Sequence, residues 1–248
     1  MQTRPAQPSS TPVAAYELAA GVLLTWACAA SAGAVLHLPA GVQLAAVLAY
    51  LGMAGLILRA WPSLRLPLGA ANRVTLLRTC LVAVITAIAC FPDALAANAF
   101  PLAIISTAAL ALDGVDGWVA RRSGSTSAFG ARFDMELDAF FILALCFAVW
   151  QLDKAGAWVL AIGAMRYVFV LAMHPLPWLG AALPDSFRRK TVCVWQVGSL
   201  LVCLLPAVPP AAATAVLLVS LTTLSVSFAL DIGWLFQHAR RPGASPQP

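Results

Sequence analysis

Long apolar runs separated by short polar stretches dominate this chain from end to end. An α-helix needs about 20 predominantly apolar residues to cross the hydrocarbon core of a bilayer. Eight segments have or approach this length, namely Val13–Leu36, Val42–Leu58, Val74–Phe91, Ala99–Ala120, Phe133–Leu152, Ala157–His174, Val192–Leu205 and Ala211–Phe236. The pattern predicts an all-α polytopic membrane protein.

Composition supports this interpretation and narrows the function classes. Of 248 residues, 61% are hydrophobic and only 10% are charged, and the mean hydropathy is +0.87, far above the range of soluble domains. The six cysteines lie singly inside apolar runs, without zinc-site spacing, so we interpret them as small buried hydrophobic residues. The formal charge of +5 follows membrane topology, and no nucleic acid partner is expected.

The basic residues predict the orientation of the chain in the membrane. Lys and Arg accumulate in cytoplasmic loops. Under the eight-span topology, one side carries Arg4, Arg59, Arg65, Arg73, Arg121, Arg122, Arg132, Arg188, Arg189, Lys190, Arg240 and Arg241. The other side carries Lys154 alone. We therefore expect both termini to be cytoplasmic, in what we take to be a bacterial inner membrane.

The polar stretches also divide the chain into segments. The expected segments are a disordered tail (1–12), two additional transmembrane helices (13–60), an interfacial connector (61–71), a six-helix core (72–236) and a C-terminal tail (237–248). A secretory signal peptide is the alternative for the first apolar run, although that run is longer than a usual signal sequence.

One short region concentrates the acidic residues. Five of the ten acidic side chains lie between Asp113 and Asp138, flanked by apolar segments. On a helix, Asp113 and Asp116 share one face, and the i,i+4 pair Asp134 and Asp138 shares a face of the following segment. Converging carboxylates repel one another, so hard divalent cations are their natural partners.

The spacing within this region resembles a family signature. The pattern D-x2-D-G-x2-A-R-x8-G-x3-D-x3-D is filled by Asp113, Asp116, Gly117, Ala120, Arg121, Gly130, Asp134 and Asp138. It resembles the signature of the CDP-alcohol phosphotransferase family, also called CDP-alcohol phosphatidyltransferases. The resemblance implies a catalytic six-helix core, with the first two helices as an addition. It also implies a homodimer that makes phospholipids by transferring a phosphatidyl group from CDP-diacylglycerol to an alcohol, with release of CMP.

The resemblance implies roles for individual residues. Two divalent ions, Mg²⁺ or Mn²⁺, would be held by Asp113, Asp116, Asp134 and Asp138, with Asp138 also acting as the general base. Gly117, Ala120, Arg121 and Gly130 would contact the CDP moiety. An upstream N-x2-T-x2-R stretch, formed by Asn72, Thr75 and Arg78, would join them. Helix capping is the alternative explanation for Asn72 and Thr75.

The acceptor is less well defined. Arg166 lies inside the sixth predicted span, and Arg188, Arg189 and Lys190 open the seventh. An intramembrane Arg usually faces a cavity or an anionic partner, which makes a phosphorylated acceptor attractive. Topology alone also explains the three basic residues at the seventh span. The Arg-Glu pair of glycerophosphate enzymes is absent, because Tyr167 follows Arg166.

Three alternatives remain from sequence. A CDP-choline or CDP-ethanolamine donor with a lipid hydroxyl as acceptor would use the same site. An ion-coupled transporter could use intramembrane carboxylates without releasing CMP. An intramembrane aspartyl protease would need two carboxylates and no metal.

Overall fold

The structure is a computed structural model that describes residues 13–60, 69–123, 127–184 and 186–239. These residues are helical almost throughout and contain no β-strand, which confirms the all-α prediction. Residues 1–12, 61–68 and 240–248, which hold most of the predicted tails and connector, lie outside the described part.

The described α-helices follow the predicted apolar segments. They are α1 (Val13–Leu36), α2 (Gly41–Ala60), α3 (Ala70–Ala89), α4 (Pro92–Ala97), α5 (Ala99–Ser123), α6 (Ala128–Gln151), α7 (Leu160–Ala172), α8 (Phe187–Leu204) and α9 (Pro210–Ala239). Short 3₁₀ turns cover Ala157–Val159 and Pro177–Gly180.

Four segments of the described chain are long and apolar enough to cross a membrane. They are Ala14–Leu36, Asn72–Ala89, Ala99–Val119 and Pro210–Ala239, and shorter apolar helices cover Gly41–Ile57 and Ala157–Ala172. Helices α6 and α8 begin with charged residues, which shortens their apolar portions. The protein therefore has the helices of a membrane protein, while the number of eight spans stays a prediction.

The short helix α4 lies between the third and fourth apolar segments, where the sequence pattern predicted no helix. Pro92 occupies the start of this helix, where its missing N–H costs no hydrogen bond. Asp93 lies in the first turn, where its charge is favourable toward the helix dipole. Six residues are thus enough to form a helix between α3 and α5.

The chain divides into two compact units, Met1–Ala144 and Leu145–Pro248. In the first unit, α3 packs against α1, α2 and α5. Cys80, Val82, Ala83, Ile85 and Ile88 of α3 are fully buried, and their close packing against the neighbouring helices stabilises this unit.

Polar contacts fasten the two additional N-terminal helices within this unit. The buried Tyr50 of α2 donates a hydrogen bond from its hydroxyl to the backbone oxygen of Leu18 in α1, at 3.0 Å. Arg73 of α3 donates from Nε and Nη2 to Glu17 Oε1 of α1, at 2.8 and 2.6 Å. Helices α1 and α2 therefore support the helix that carries Asn72, Thr75 and Arg78.

In the second unit, α8 packs along α9. Leu200, Cys203 and Leu204 of α8 are fully buried, as are Ala213 and Leu217 of α9. The hydroxyl groups of Ser199 and Ser220 lie 3.2 Å apart within this interface, so each finds a polar partner in an apolar environment.

The Tyr50 hydrogen bond can be tested by removing one atom. Replacing Tyr50 with Phe should lower the free energy of unfolding by about 0.5–1.5 kcal/mol, because the ring stays packed while the bond to Leu18 is lost. Tyr16→Phe is the control, since that side chain is 65% exposed, and it should change the stability little. Thermal or denaturant unfolding of both variants in detergent measures the difference; equal stabilities would contradict the assignment.

Candidate functional site

Three carboxylates from two helices converge in the first unit. Asp113 lies near the C-terminal end of α5, and Asp134 and Asp138 lie one turn apart on α6. One oxygen from each carboxylate can be chosen so that all three lie within 4.8 Å of one another. The side chains are 34–39% exposed, so the rest of the chain covers the cluster only in part.

This donor set fits a hard divalent cation. Carboxylate oxygens are preferred ligands of Mg²⁺, and two ligands on opposite sides of that ion are separated by roughly 4.2 Å. The oxygens of the cluster lie within 4.8 Å of one another, slightly beyond this separation, so small side-chain rotations would bring all three onto one ion. The side chain of Asp116, the fourth predicted ligand, lies outside the described side chains, so its part in the site stays a prediction.

Within the described part of the chain, Arg78 contacts the cluster. It projects from α3, is fully buried, and forms ion pairs with all three carboxylates. Its Nη1 atom lies 2.8 Å from Asp113 Oδ1 and 2.6 Å from Asp134 Oδ1, while Nη2 binds Asp138 Oδ1. The guanidinium therefore links α3, α5 and α6 through a single charged group.

Gly130, in the first turn of α6, lies close to Ser127 and Asn72. Ser127 precedes the helix, and its hydroxyl accepts a hydrogen bond from the Gly130 N–H at 2.9 Å, as an N-cap does. A Cβ atom on Gly130 would lie only 2.8 Å from Oδ1 of the buried Asn72. The motif glycine thus allows α6 to approach Asn72, which connects the upstream stretch to the acidic region.

The remaining predicted nucleotide-binding positions are placed as follows. Thr75 is buried on α3, one turn before Arg78, and Gly117 is partly exposed on α5. The side chains of Ala120 and Arg121 lie outside the described ones. Binding of CDP by these residues stays a prediction.

The predicted acceptor residues lie in the second unit. Arg188 donates from Nη2 to Asp231 Oδ1 at 2.5 Å and from Nη1 to the Ser227 backbone oxygen at 2.7 Å. Arg189 also binds Asp231, at 3.3 Å, whereas Lys190 is exposed. Arg166 is partly exposed on α7. Acceptor binding by these four residues stays a prediction.

Asp231 is a residue that the sequence analysis missed. It lies in the long apolar helix α9, is 9% exposed, and accepts hydrogen bonds from two arginines of α8. Placing a carboxylate inside an apolar helix costs free energy, and such a residue usually has a cationic partner. The position of Asp231 in the sequence could therefore have predicted that it pairs with a basic residue. Asp231 orients Arg188 and Arg189 and fastens the start of α8 to α9.

The close approach at Gly130 gives a stability prediction. Gly130→Ala should be less stable than Gly114→Ala by about 1–3 kcal/mol, because the new methyl group overlaps Asn72 while Gly114 has open space around it. Both changes raise helix propensity similarly, so the difference isolates the steric term. Unfolding measured in parallel tests this; a Gly130→Ala variant as stable as Gly114→Ala would contradict it.

A second stability prediction concerns Asp231. Asp231→Ala should cost about 1.5–3 kcal/mol, because it removes charge-assisted hydrogen bonds from both arginines. Asp231→Asn keeps an acceptor oxygen and should lose less. Asp153→Asn is the control, since that residue lies exposed in a turn and asparagine tolerates its φ of 53°. Denaturant titrations rank the three variants; a loss for Asp231→Ala no larger than that for Asp153→Asn would contradict the prediction.

Comparison with known proteins identifies the family. The sequence profile described as CDP-alcohol phosphatidyltransferase matches residues 68–227, more than half of the chain. Neither a curated protein nor a solved structure matched. The matched region contains the three converging carboxylates, Arg78 and the Gly130 approach. The chain therefore belongs to the CDP-alcohol phosphatidyltransferase family, whose members transfer substituted phosphate groups.

Proposed function

We propose that this protein transfers a phosphatidyl group from CDP-diacylglycerol to an alcohol and releases CMP. The observation that carries the proposal is the convergence of Asp113, Asp134 and Asp138 within a region that matches the family. A nucleotide pyrophosphate is an anion whose oxygens need compensation by cations, and a carboxylate cluster that fits divalent metal can supply them. Phospholipid biosynthesis is the corresponding role.

The metal requirement follows from the chemistry of the substrate. Bound Mg²⁺ or Mn²⁺ would neutralise pyrophosphate oxygens and the charge that develops on the departing CMP. Asp113, Asp134 and Asp138 would hold one such ion, and Asp116 is the proposed additional ligand for a second. The partly exposed faces of the described carboxylates leave them accessible to the ions and to the substrate.

We assign the proton transfer to Asp138. The acceptor hydroxyl oxygen attacks the phosphorus of the phosphatidyl group, the bond from that phosphorus to the CMP oxygen breaks, and the hydroxyl proton passes to the Asp138 carboxylate. The proposed contacts of the CDP moiety are Asn72, Thr75, Arg78, Gly117, Ala120, Arg121 and Gly130. The burial of Asn72 beside Gly130 fits this assignment, because it holds an amide at the start of α6.

The proposal also includes the position of the substrate in the membrane, the class of acceptor and the oligomeric state. The CDP headgroup is expected at the cytoplasmic surface, where nucleotides are available, while the acyl chains remain in the bilayer. A phosphorylated alcohol is the favoured acceptor, with Arg166, Arg188, Arg189 and Lys190 as the candidate residues near it. A homodimer is expected from the family resemblance.

CMP release tests the reaction. Purified protein in lipid vesicles is incubated with labelled CDP-diacylglycerol and a panel of alcohols and alcohol phosphates. CMP should form with at least one acceptor and stop when divalent metal is chelated. Asp138→Asn should lower the rate by about 10²–10⁴-fold, as expected for loss of a general base. Asp93→Asn is the matched control, an exposed carboxylate on α4, and should retain activity.

The outcomes separate the alternatives. CMP formed only from CDP-choline or CDP-ethanolamine with diacylglycerol would contradict CDP-diacylglycerol as the donor. The lipid would then be the acceptor of the phosphate group and not its donor. Ion flux that requires Asp138, without CMP from any donor, would favour a transporter. Activity that survives chelation would contradict the proposed metal chemistry.

A further inference from the structure

Arg78 and the expected metal ion compete for the same three carboxylates. The guanidinium lies against Asp113, Asp134 and Asp138, and these are the residues whose oxygens are close enough to share one ion. A guanidinium and a divalent ion bound to the same three carboxylates lie close together and repel each other, even when they use different oxygens of each carboxylate. Binding of one therefore weakens binding of the other.

Arg78 is much more deeply buried than the three carboxylates that it contacts. The Arg78 side chain is 1% exposed, while each carboxylate is about a third exposed. A buried guanidinium that loses its carboxylate partners needs another anion, because an uncompensated buried charge is strongly destabilising. Planar guanidinium groups bind phosphate oxygens as well as they bind carboxylates.

We propose that Arg78 is an exchangeable counter-ion, which compensates the three carboxylates in the metal-free protein and is displaced from them by the divalent ion. The displaced guanidinium can then bind the pyrophosphate of the substrate, because guanidinium groups form charge-assisted hydrogen bonds to phosphate oxygens. Arg78 thereby lowers the affinity of the cluster for free metal and makes metal and nucleotide binding mutually favourable. The nucleotide half of this inference rests on the proposed function.

The inference predicts a gain of metal affinity from the loss of a site residue. Arg78→Gln removes the competing charge but keeps a polar side chain of moderate length. Without nucleotide, it should bind Mn²⁺ about tenfold more tightly than the wild type, as measured by electron paramagnetic resonance of free Mn²⁺. Arg78→Lys keeps the charge and should bind Mn²⁺ within about threefold of the wild type, as expected for a charge effect.

Two further Mn²⁺-binding measurements distinguish the exchange of Arg78 for metal from a purely structural role of Arg78. Added CDP should increase Mn²⁺ affinity in the wild type by a larger factor than in Arg78→Gln. Asp113→Asn removes a metal ligand and should weaken Mn²⁺ binding, which is opposite to the effect expected for Arg78→Gln. If Arg78 served only to shape the site, both Arg78 variants would bind Mn²⁺ more weakly, and that result would overturn the inference.

Protein stability provides a readout if the metal-free variant is poorly folded. Mn²⁺ should raise the unfolding temperature of Arg78→Gln more than that of the wild type, because the ion replaces the missing positive charge. An Arg78→Gln protein that Mn²⁺ does not stabilise would contradict the exchange. None of these measurements requires turnover. If Arg78→Gln binds Mn²⁺ more tightly but the wild type releases no CMP with any donor or acceptor, the proposed function is refuted and the counter-ion role stands.

Discussion

The constraint on which this structure depends is the compensation of three carboxylates within a bundle of apolar helices. Asp113, Asp134 and Asp138 would repel one another at their observed separations, and Arg78 supplies a positive charge among them. At an effective dielectric constant of 20, two unit charges 4 Å apart interact by about 4 kcal/mol. A cation close to the cluster therefore stabilises the fold by reducing this repulsion.

Helix α3 provides that cation, and its surroundings explain why it can be held in place. The helix is packed by α1 and α2 as well as α5, and the Arg73–Glu17 pair fastens its first turn to α1. The family match begins at residue 68, so α1 and α2 lie outside it. These two helices add packing around the helix that carries Arg78, and this gives them a structural role in the described part of the chain.

The apolar pattern and the acidic spacing predicted the main features of the protein. Helical segments appear where apolar runs of sufficient length occur, because backbone polar groups in a bilayer must be satisfied internally. The fixed spacing between Asp113 and Asp138 indicated the family, and the family match over residues 68–227 confirms it. Both features depend on local sequence, and a single chain displays them directly.

Contacts between distant residues were not predictable in the same way. Arg78 and Asp138 are 60 positions apart, and only the tertiary arrangement of the chain decides that their side chains meet. The Arg188–Asp231 pair depends likewise on how α8 lies along α9. Helix α4 was missed because six residues are too few for a helical period to emerge from the pattern.

The most direct measurement of the central claim is the position of Mn²⁺ in the protein. Anomalous scattering from crystals grown with Mn²⁺ and CDP locates the ion independently of any activity. The account predicts a peak in contact with carboxylate oxygens of Asp113, Asp134 and Asp138, with Arg78 no longer bridging them. A fully occupied peak elsewhere, or Arg78 still bridging the three carboxylates beside bound CDP, would contradict it.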